Sequence, residues 1–377
     1  FRHFRPSPLA VAAFKRRTDI LALTDNIIIE FNLQRGRVGT CATEETLESL
    51  MTIMNRRVVL LSTAAMAGAF VTRALAADGL PPLKPKATYK VGFAQTESNN
   101  PWRLAQTASM KAEAEKLGWQ LVYTDAAGSA AKQVADVNSM IAQGVDVIFL
   151  SPREEKPLIP AVMAAKKAGI PLFLIDRSVD AKLAKAGQDY VSFIGSDFVL
   201  EGKQAGEWLV KATGGKATIL EIEGTTGSSP ANDRKKGFDE VIAQHPDMKI
   251  VASQSGDFAR DKGRQVAEAL LQAHPEATVI YAHNDEMAIG AIAAIEAAGK
   301  KPGKDILIVS IDGEKDGLQA IVDGKMGATV ECNPRFGPAA YAAAIAYSKG
   351  EKIPPIMTNK DNFYDASNAA ASLAGSY

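Results

Sequence analysis

The sequence predicts an α/β protein of two lobes, each a parallel sheet covered by helices on both faces. Three observations carry that expectation. Short apolar runs alternate with longer helical segments from Tyr89 onward. Glycines stop the first three of those segments, at Gly118, Gly144 and Gly169, roughly 25 residues apart. The run Pro171–Ser178, PLFLIDRS, drives five apolar residues straight into an Asp176–Arg177 pair. A continuous apolar run bounded by turn signals suits a strand buried on both faces of a parallel sheet. Alternation of strand and helix supplies the covering layers, and glycine supplies the left-handed residue that closes a helix.

From the front, residues 1–53 contain no repeat of any element and are expected to be a disordered extension, translated from a start upstream of the true one. Residues 54–76 read MNRRVVLLSTAAMAGAFVTRALA, with a basic start at Arg56 and Arg57, an apolar run Val58–Val71 and then Ala74-Leu75-Ala76. That order predicts a secretory signal peptide, cleaved near Ala76. Its apolar run is too short to span a bilayer. The Arg-Arg pair also fits a twin-arginine signal. Pro81, Pro82 and Pro85 form a stiff leader into the fold.

The first lobe then follows in order. Strands are predicted at 89–94 (YKVGFA), 119–124 (WQLVYT), 145–150 (VDVIFL), 171–176 and 191–195, with helices at 102–117, 131–143 and 158–168 between them. Val134, Val137 and Ile141 stand at helical spacing on the second helix. A second run starts with a helix at 197–212. Its strands are predicted at 217–224, 249–254, 278–283 and 306–312, and its helices at 230–244, 259–273 and 285–298. No Gly-, Ser- or Pro-rich linker separates the two runs. Two coupled, Rossmann-like lobes are expected, with their strand ends facing across a cleft, a common place for small-molecule sites.

Polar and aromatic residues recur just past the predicted strands. They are Asn99-Asn100-Pro101-Trp102-Arg103, Ser151, Asp176-Arg177, Arg234, Phe258, Asn284-Asp285 and Asp312. Carboxylates, amides and guanidinium forks make paired hydrogen bonds to neighbouring hydroxyls, and flat rings cover the C–H face of a sugar. Any one of these residues has a plainer role; Asn284, for example, sits where a helix cap belongs. Their recurrence at equivalent edges of two sheets points to a polyol site.

Bulk properties narrow the class further. The 377 residues are 46% apolar and 23% charged, enough for a sizeable core in two domains. Residues 1–76 hold 10 Lys/Arg and 6 Asp/Glu, so 33 and 37 remain for the rest, a net charge of about −4. That is no footprint for nucleic acid. Cys41 and Cys332 exclude a disulfide framework. His3, His245, His274 and His283 have no metal-ligand spacing, so no metal and no cofactor are expected. An enzyme is not expected either. There is no Walker loop, no GxGxxG after the first strand, no HExxH and no GxSxG, and the loop Gly224–Gly227 lacks a lysine for phosphate. Asp176 and Asp312 remain a conceivable acid/base pair.

The segments GFAQTESNNPWR, LIDRSVD, NDRKKGF, SQSGDFARDKG, YAHNDEMAIGAI, KPGKDIL and SIDG resemble, in order, those of the periplasmic sugar-binding proteins of the ribose/galactose type. The likeness is strongest to the galactofuranose-binding members that serve ABC importers, and it runs from about Tyr89 to the end of the chain. It implies the type I periplasmic binding fold with a three-crossing hinge near 196, 332 and 359. The N-terminal lobe would be 85–196 plus 333–359, with a returning helix at 334–348; the C-terminal lobe would be 197–332 plus 360–377. Ligand contacts are implied at Asn100, Trp102, Arg103, Asp176, Arg177, Arg234, Phe258, Asn284 and Asp312. Arg103 behind Trp102 favours the galactofuranose subgroup. Two positions depart from the pattern. Asn100 stands where that subgroup has serine, and Cys332 stands where ribose binders have glutamine, with Glu331 a candidate to take over that contact. The resemblance implies a monomer that closes on a monosaccharide and docks on membrane permease subunits. A sugar-sensing transcription repressor and a chemotaxis receptor ligand share this fold. The first is disfavoured, because 1–53 lacks a clear helix-turn-helix head and an export signal occupies the linker position.

Overall fold

The computed structural model describes residues 79–377. The expected extension 1–53, the expected signal peptide 54–76 and its cleavage near Ala76 lie outside the described residues. The first lobe contains β1 (Lys90–Gln95), α1 (Pro101–Leu117), β2 (Gln120–Asp125), α2 (Ala130–Ala142), β3 (Val147–Leu150), α3 (Ile159–Ala168), β4 (Leu172–Ile175) and β5 (Phe193–Gly195). The second begins with α4 (Phe198–Thr213). It continues through β6 (Ala217–Glu223), α5 (Ser229–Ile242), β7 (Met248–Ser255), α6 (Arg260–Ala273), β8 (Val279–Ala282), α7 (Asp285–Ala297), β9 (Leu307–Asp312), α8 (Lys315–Val322) and β10 (Ala328–Glu331). α9 (Gly337–Ser348) and β11 (Ile356–Thr358) return to the first lobe, and β12 (Phe363–Asp365) and the short α10 (Ala369–Ser372) end in the second.

Two six-stranded sheets result, ordered β11-β5-β4-β3-β1-β2 and β12-β10-β9-β8-β6-β7. The chain passes between the sheets after β5, after β10 and after β11. Every pairing is parallel except that of β12 with β10. The expectation of parallel sheets throughout is therefore corrected at one edge. A parallel neighbour needs a long crossover, whereas β12 enters directly from the first lobe only a few residues after β11. The sequence carries no expectation for α8, β10, β11 and β12, none longer than eight residues.

Local chemistry explains the repeated βα turns. Asn100, Ser129, Asp197 and Asn284 each accept a backbone N–H at the start of a helix, and Pro101 occupies the first turn of α1. Gly118 and Gly169 close α1 and α3 in the left-handed conformation. The central strands β3 and β4 are buried at every position, as a doubly covered sheet requires. Tyr341 on α9 packs between Trp119 and Phe149 of the first lobe, which ties that returning helix to its sheet. No helix among the described residues is long and apolar enough to cross a membrane.

One close approach bears directly on the cleft. α4 and α5 meet through Gly202 and Gly237; a Cβ on Gly202 would lie 2.1 Å from the carbonyl oxygen of Arg234, and one on Gly237 2.0 Å from that of Val199. The contact is backbone against backbone, so the helices must separate to admit a methyl group. Gly237→Ala is expected to destabilise the protein by about 1–3 kcal/mol through overpacking, read as a lower urea midpoint. An unchanged midpoint would mean that these helices separate without cost.

Candidate functional site

The carboxyl ends of the two sheets face each other across a small cavity lined from both lobes. All nine principal candidates line it: Asn100, Trp102, Arg103, Asp176 and Arg177 from the first lobe, and Arg234, Phe258, Asn284 and Asp312 from the second. Cys332 lines it too, and so does Pro230 from the first turn of α5.

Asp176 ends β4 with φ 64°, the left-handed region, and its carboxylate turns to Arg103. Arg103 Nη1 donates to Asp176 Oδ2 at 2.6 Å and to Gln106 Oε1 at 3.0 Å. The adjacent Arg177 is the more distant partner, with Nε 3.8 Å from Asp176 Oδ2. Arg177 instead donates from Nη1 to the carbonyl of Arg153 at 3.1 Å and places Nη2 3.6 Å from Glu97. Burial, followed by the positive charge of Arg103, lowers the Arg177 pKa to about 9, so it remains a cation at neutral pH.

In the second lobe Arg234, only 3% exposed, is held from three sides. Its Nε donates to Glu201 Oε2 at 2.7 Å, Nη1 to the His283 carbonyl at 2.6 Å and Nη2 to Asp312 Oδ1 at 3.3 Å. Burial opposes its charge, but Glu201 and the other neighbouring acids raise its pKa well above the ordinary value. Burial raises the carboxyl of Asp312 well above its usual range, against the pull of Arg234. Glu201 is raised to about 7, again by burial first, and its Oε1 has no hydrogen-bond partner among the described residues. Phe258 also has a positive φ, 57°. Its ring lies under two cations from opposite lobes, Arg177 at 5.3 Å and Arg234 at 5.7 Å, within cation–π range.

Asn100 and Asn284 combine two roles. Asn100 Oδ1 caps α1 through Arg103 N at 2.8 Å, and Asn284 Oδ1 caps α7 through Met287 N at 3.0 Å. Both remain on the cavity wall. Trp102 Nε1 donates to the Cys332 carbonyl at 2.7 Å, tying the aromatic wall to the β10 crossing.

Two secondary candidates need correction. Ser151 is fully buried behind the wall, where its hydroxyl lies 3.3 Å from both Arg103 Nη1 and Asp176 Oδ2. It braces that pair and does not line the cavity. Glu331 does not face the cavity either. Successive residues of a strand point to opposite faces, and its carboxylate bonds Asn362 N at 2.9 Å on the far side, so it does not take the place of a glutamine at 332. Glu201, Gln106 and Glu97 support the site without having been foreseen. Glu201 and Glu97 meet their arginines through the fold, with no local signal in the sequence, whereas Gln106 stands three residues after Arg103 on the expected helix, a spacing that brings the two side chains together.

The raised carboxyl of Glu201 has a measurable consequence. Its folded pKa of about 7 exceeds the ordinary 4.5, so between those values the folded state holds the proton more tightly than the unfolded chain. Stability therefore falls as pH rises through that window. Glu201→Gln is expected to shrink the fall in unfolding free energy between pH 5 and pH 8, measured by urea denaturation; an identical fall in both proteins would contradict it.

Comparison with known proteins then adds a lineage to this geometry. Residues 91–352 match the family model described as a periplasmic binding protein domain. The chain is 45% identical over 276 residues to the galactofuranose-binding protein YtfQ of Escherichia coli, covering 72% of this chain and 86% of that protein. It is 38% identical over 256 residues to the ribose import binding protein RbsB of Salmonella typhimurium, covering 68% and 83%. Among solved structures, a galactofuranose binding protein superposes with a TM-score of 0.72 at 42% identity, covering 76% of this chain and 97% of that one. The periplasmic binding component of the arabinose ABC transporter from Shewanella sp. ANA-3, bound to L-arabinofuranose, superposes at 0.71 with 41% identity and coverages of 76% and 95%. With two facing sheets, three passages between them and a charged cavity at their meeting edges, the chain belongs to the periplasmic binding protein family.

Proposed function

We propose that the protein is a periplasmic receptor that captures a single monosaccharide between its lobes and delivers it to the membrane subunits of an ABC importer. The observation that carries this reading is that both lobes contribute charged, hydrogen-bonding walls to one small cavity: Arg103 with Asp176 on one side, Arg234 with Asp312 on the other. A carboxylate beside a guanidinium accepts from one hydroxyl and donates to the next, which suits the vicinal hydroxyls of a sugar. Trp102 and Phe258 supply the apolar faces. A furanose is the preferred form, supported by relatives named for galactofuranose and arabinofuranose.

The mechanism is differential affinity. Each lobe alone offers half of the hydrogen bonds, so the ligand favours the arrangement in which both halves meet. Closure removes water from the cavity and strengthens each charged contact. No chemical step is assigned: the protein binds and releases, acting as an exported monomer.

The test is a thermal-shift screen of residues 77–377 against D-galactose, D-fucose, L-arabinose, D-ribose and D-fructose. A cognate sugar at about 100 times its dissociation constant is expected to stabilise the fold by about 2.7 kcal/mol. No shift with any sugar would overturn the reading, as would turnover of a bound sugar. Asp176→Ala leaves Arg103 without its charged partner and is expected to cost about 2–5 kcal/mol of sugar affinity, measured by titration calorimetry. A loss below about threefold would place the ligand elsewhere. Trp102→Ala is expected to weaken binding and, because the indole is buried and bonded to the Cys332 carbonyl, also to lower the unfolding midpoint; equal affinities would mean that the indole does not face the sugar.

A further inference from the structure

Outside the cavity lies a second, polar groove of about 800 Å3, lined by Glu97, Asn99, Asp125, Arg153, Asp257 and Lys262 among others. Its wall backs onto that of the cavity. Asn99 and Asp257 face the groove, while their chain neighbours Asn100 and Phe258 face the cavity. At the centre stands Arg153, only 8% exposed. Its Nη1 bonds Glu97 of the same lobe, and its Nη2 crosses to Asp257 Oδ1 of the other lobe at 2.8 Å. Its carbonyl accepts from Arg177 at 3.1 Å. Asp257 is held in turn by Thr225 and Lys262, each at 2.7 Å, and has a left-handed φ of 55° next to Phe258 at 57°.

We propose that Arg153 is an interlobe latch and a positioning residue, which keeps the closed cleft shut and orients Phe258 and Arg177 without touching the ligand. This rests on the reading of the cavity as a sugar site. The geometry favours a latch over a surface ion pair in two ways. The guanidinium bridges two carboxylates that opening of the lobes would separate; Asp257 is joined to Phe258 by a peptide link, and the carbonyl of Arg153 itself accepts from Arg177. The neighbouring interlobe bonds, Glu155 N to the Gly227 carbonyl at 2.9 Å, Asn232 Nδ2 to Glu155 Oε2 at 2.8 Å and Ser178 N to Ser229 Oγ at 2.8 Å, involve neutral donors. Among the described residues Arg153 carries the charge-to-charge bridge across the mouth. A charged bond across the closed mouth is broken on release but is not yet formed at encounter, so its effect belongs in the dissociation rate.

The test compares Arg153→Gln, Asp257→Asn and the double variant with the parent protein. Asparagine is chosen because it tolerates the left-handed conformation. Stopped-flow Trp fluorescence with L-arabinose and with D-galactose is expected to show dissociation faster by about tenfold in each single variant, and association within about threefold of the parent. The double variant is expected to be no faster than the quicker single one, because both changes break one bond. Arg153→Lys, which reaches one carboxylate at a time, is expected to recover part of the slow release. Unchanged dissociation, or effects that multiply in the double variant, would overturn the latch. The parent protein separates this from failure of the sugar reading: no binding signal from the parent with either sugar overturns the cavity reading and the latch with it, whereas binding by the parent with unchanged dissociation in the variants overturns the latch alone.

Discussion

Three guanidinium groups, those of Arg103, Arg177 and Arg234, are buried in one cleft, and each must be met by acceptors before the two sheets can face each other. Burying an unpaired charge is costly, so the surroundings are arranged to answer them. Asp176 and Gln106 serve Arg103, the Arg153 carbonyl and Glu97 serve Arg177, and Glu201, the His283 carbonyl and Asp312 serve Arg234. Much of the remaining detail near the cleft follows from this requirement. Ser151 is placed to brace a carboxylate, and Gly202 and Gly237 let α4 approach α5 closely enough for Glu201 to reach Arg234.

Backbone strain is concentrated in the same place. Of the five non-glycine residues with positive φ among the described residues, Asp176, Phe258 and Asp312 line the cavity and Asp257 anchors its outer wall. Such conformations cost about 1–3 kcal/mol each. Here they turn side chains at strand ends into the gap, where a relaxed extended residue would carry them onward with the strand. The ring of Phe258 lies so close over Gly224 that a Cβ there would fall 1.9 Å from it. The roof of the cavity thus depends on both an unusual backbone and an absent side chain.

The two lobes are unequal in how they hold charge. The first pairs Asp176 with Arg103 at 2.6 Å, a short charge-assisted contact. In the second, several acids crowd one arginine, and burial raises Glu201, Asp285, Asp312 and Glu314 above their ordinary values. Burial opposes the charged form of these acids, and Arg234 pulls Glu201 and Asp312 the other way.

The alternation of strands and helices, the glycine stops, the capping asparagines and the chemistry waiting at strand ends were all legible in the sequence, because each depends on residues within a few positions of one another. All nine principal candidates were named from those ends, helped by their resemblance to a family. What the chain could not disclose locally was who meets whom. Adjacent Asp176 and Arg177 read as a pair, yet the left-handed turn at Asp176 sends its carboxylate to Arg103, 73 residues away in sequence. Glu201 and Arg153 gave no local sign of their roles, since a buried acid and a bridging guanidinium are defined by partners from other elements. The antiparallel edge strand β12 and the outward-facing Glu331 were likewise decided by the third passage between sheets and by the register of β10. Periodicity and capping are properties of neighbours in the chain, whereas charge pairing in a cleft is a property of neighbours in space, and only the folded arrangement brings those together.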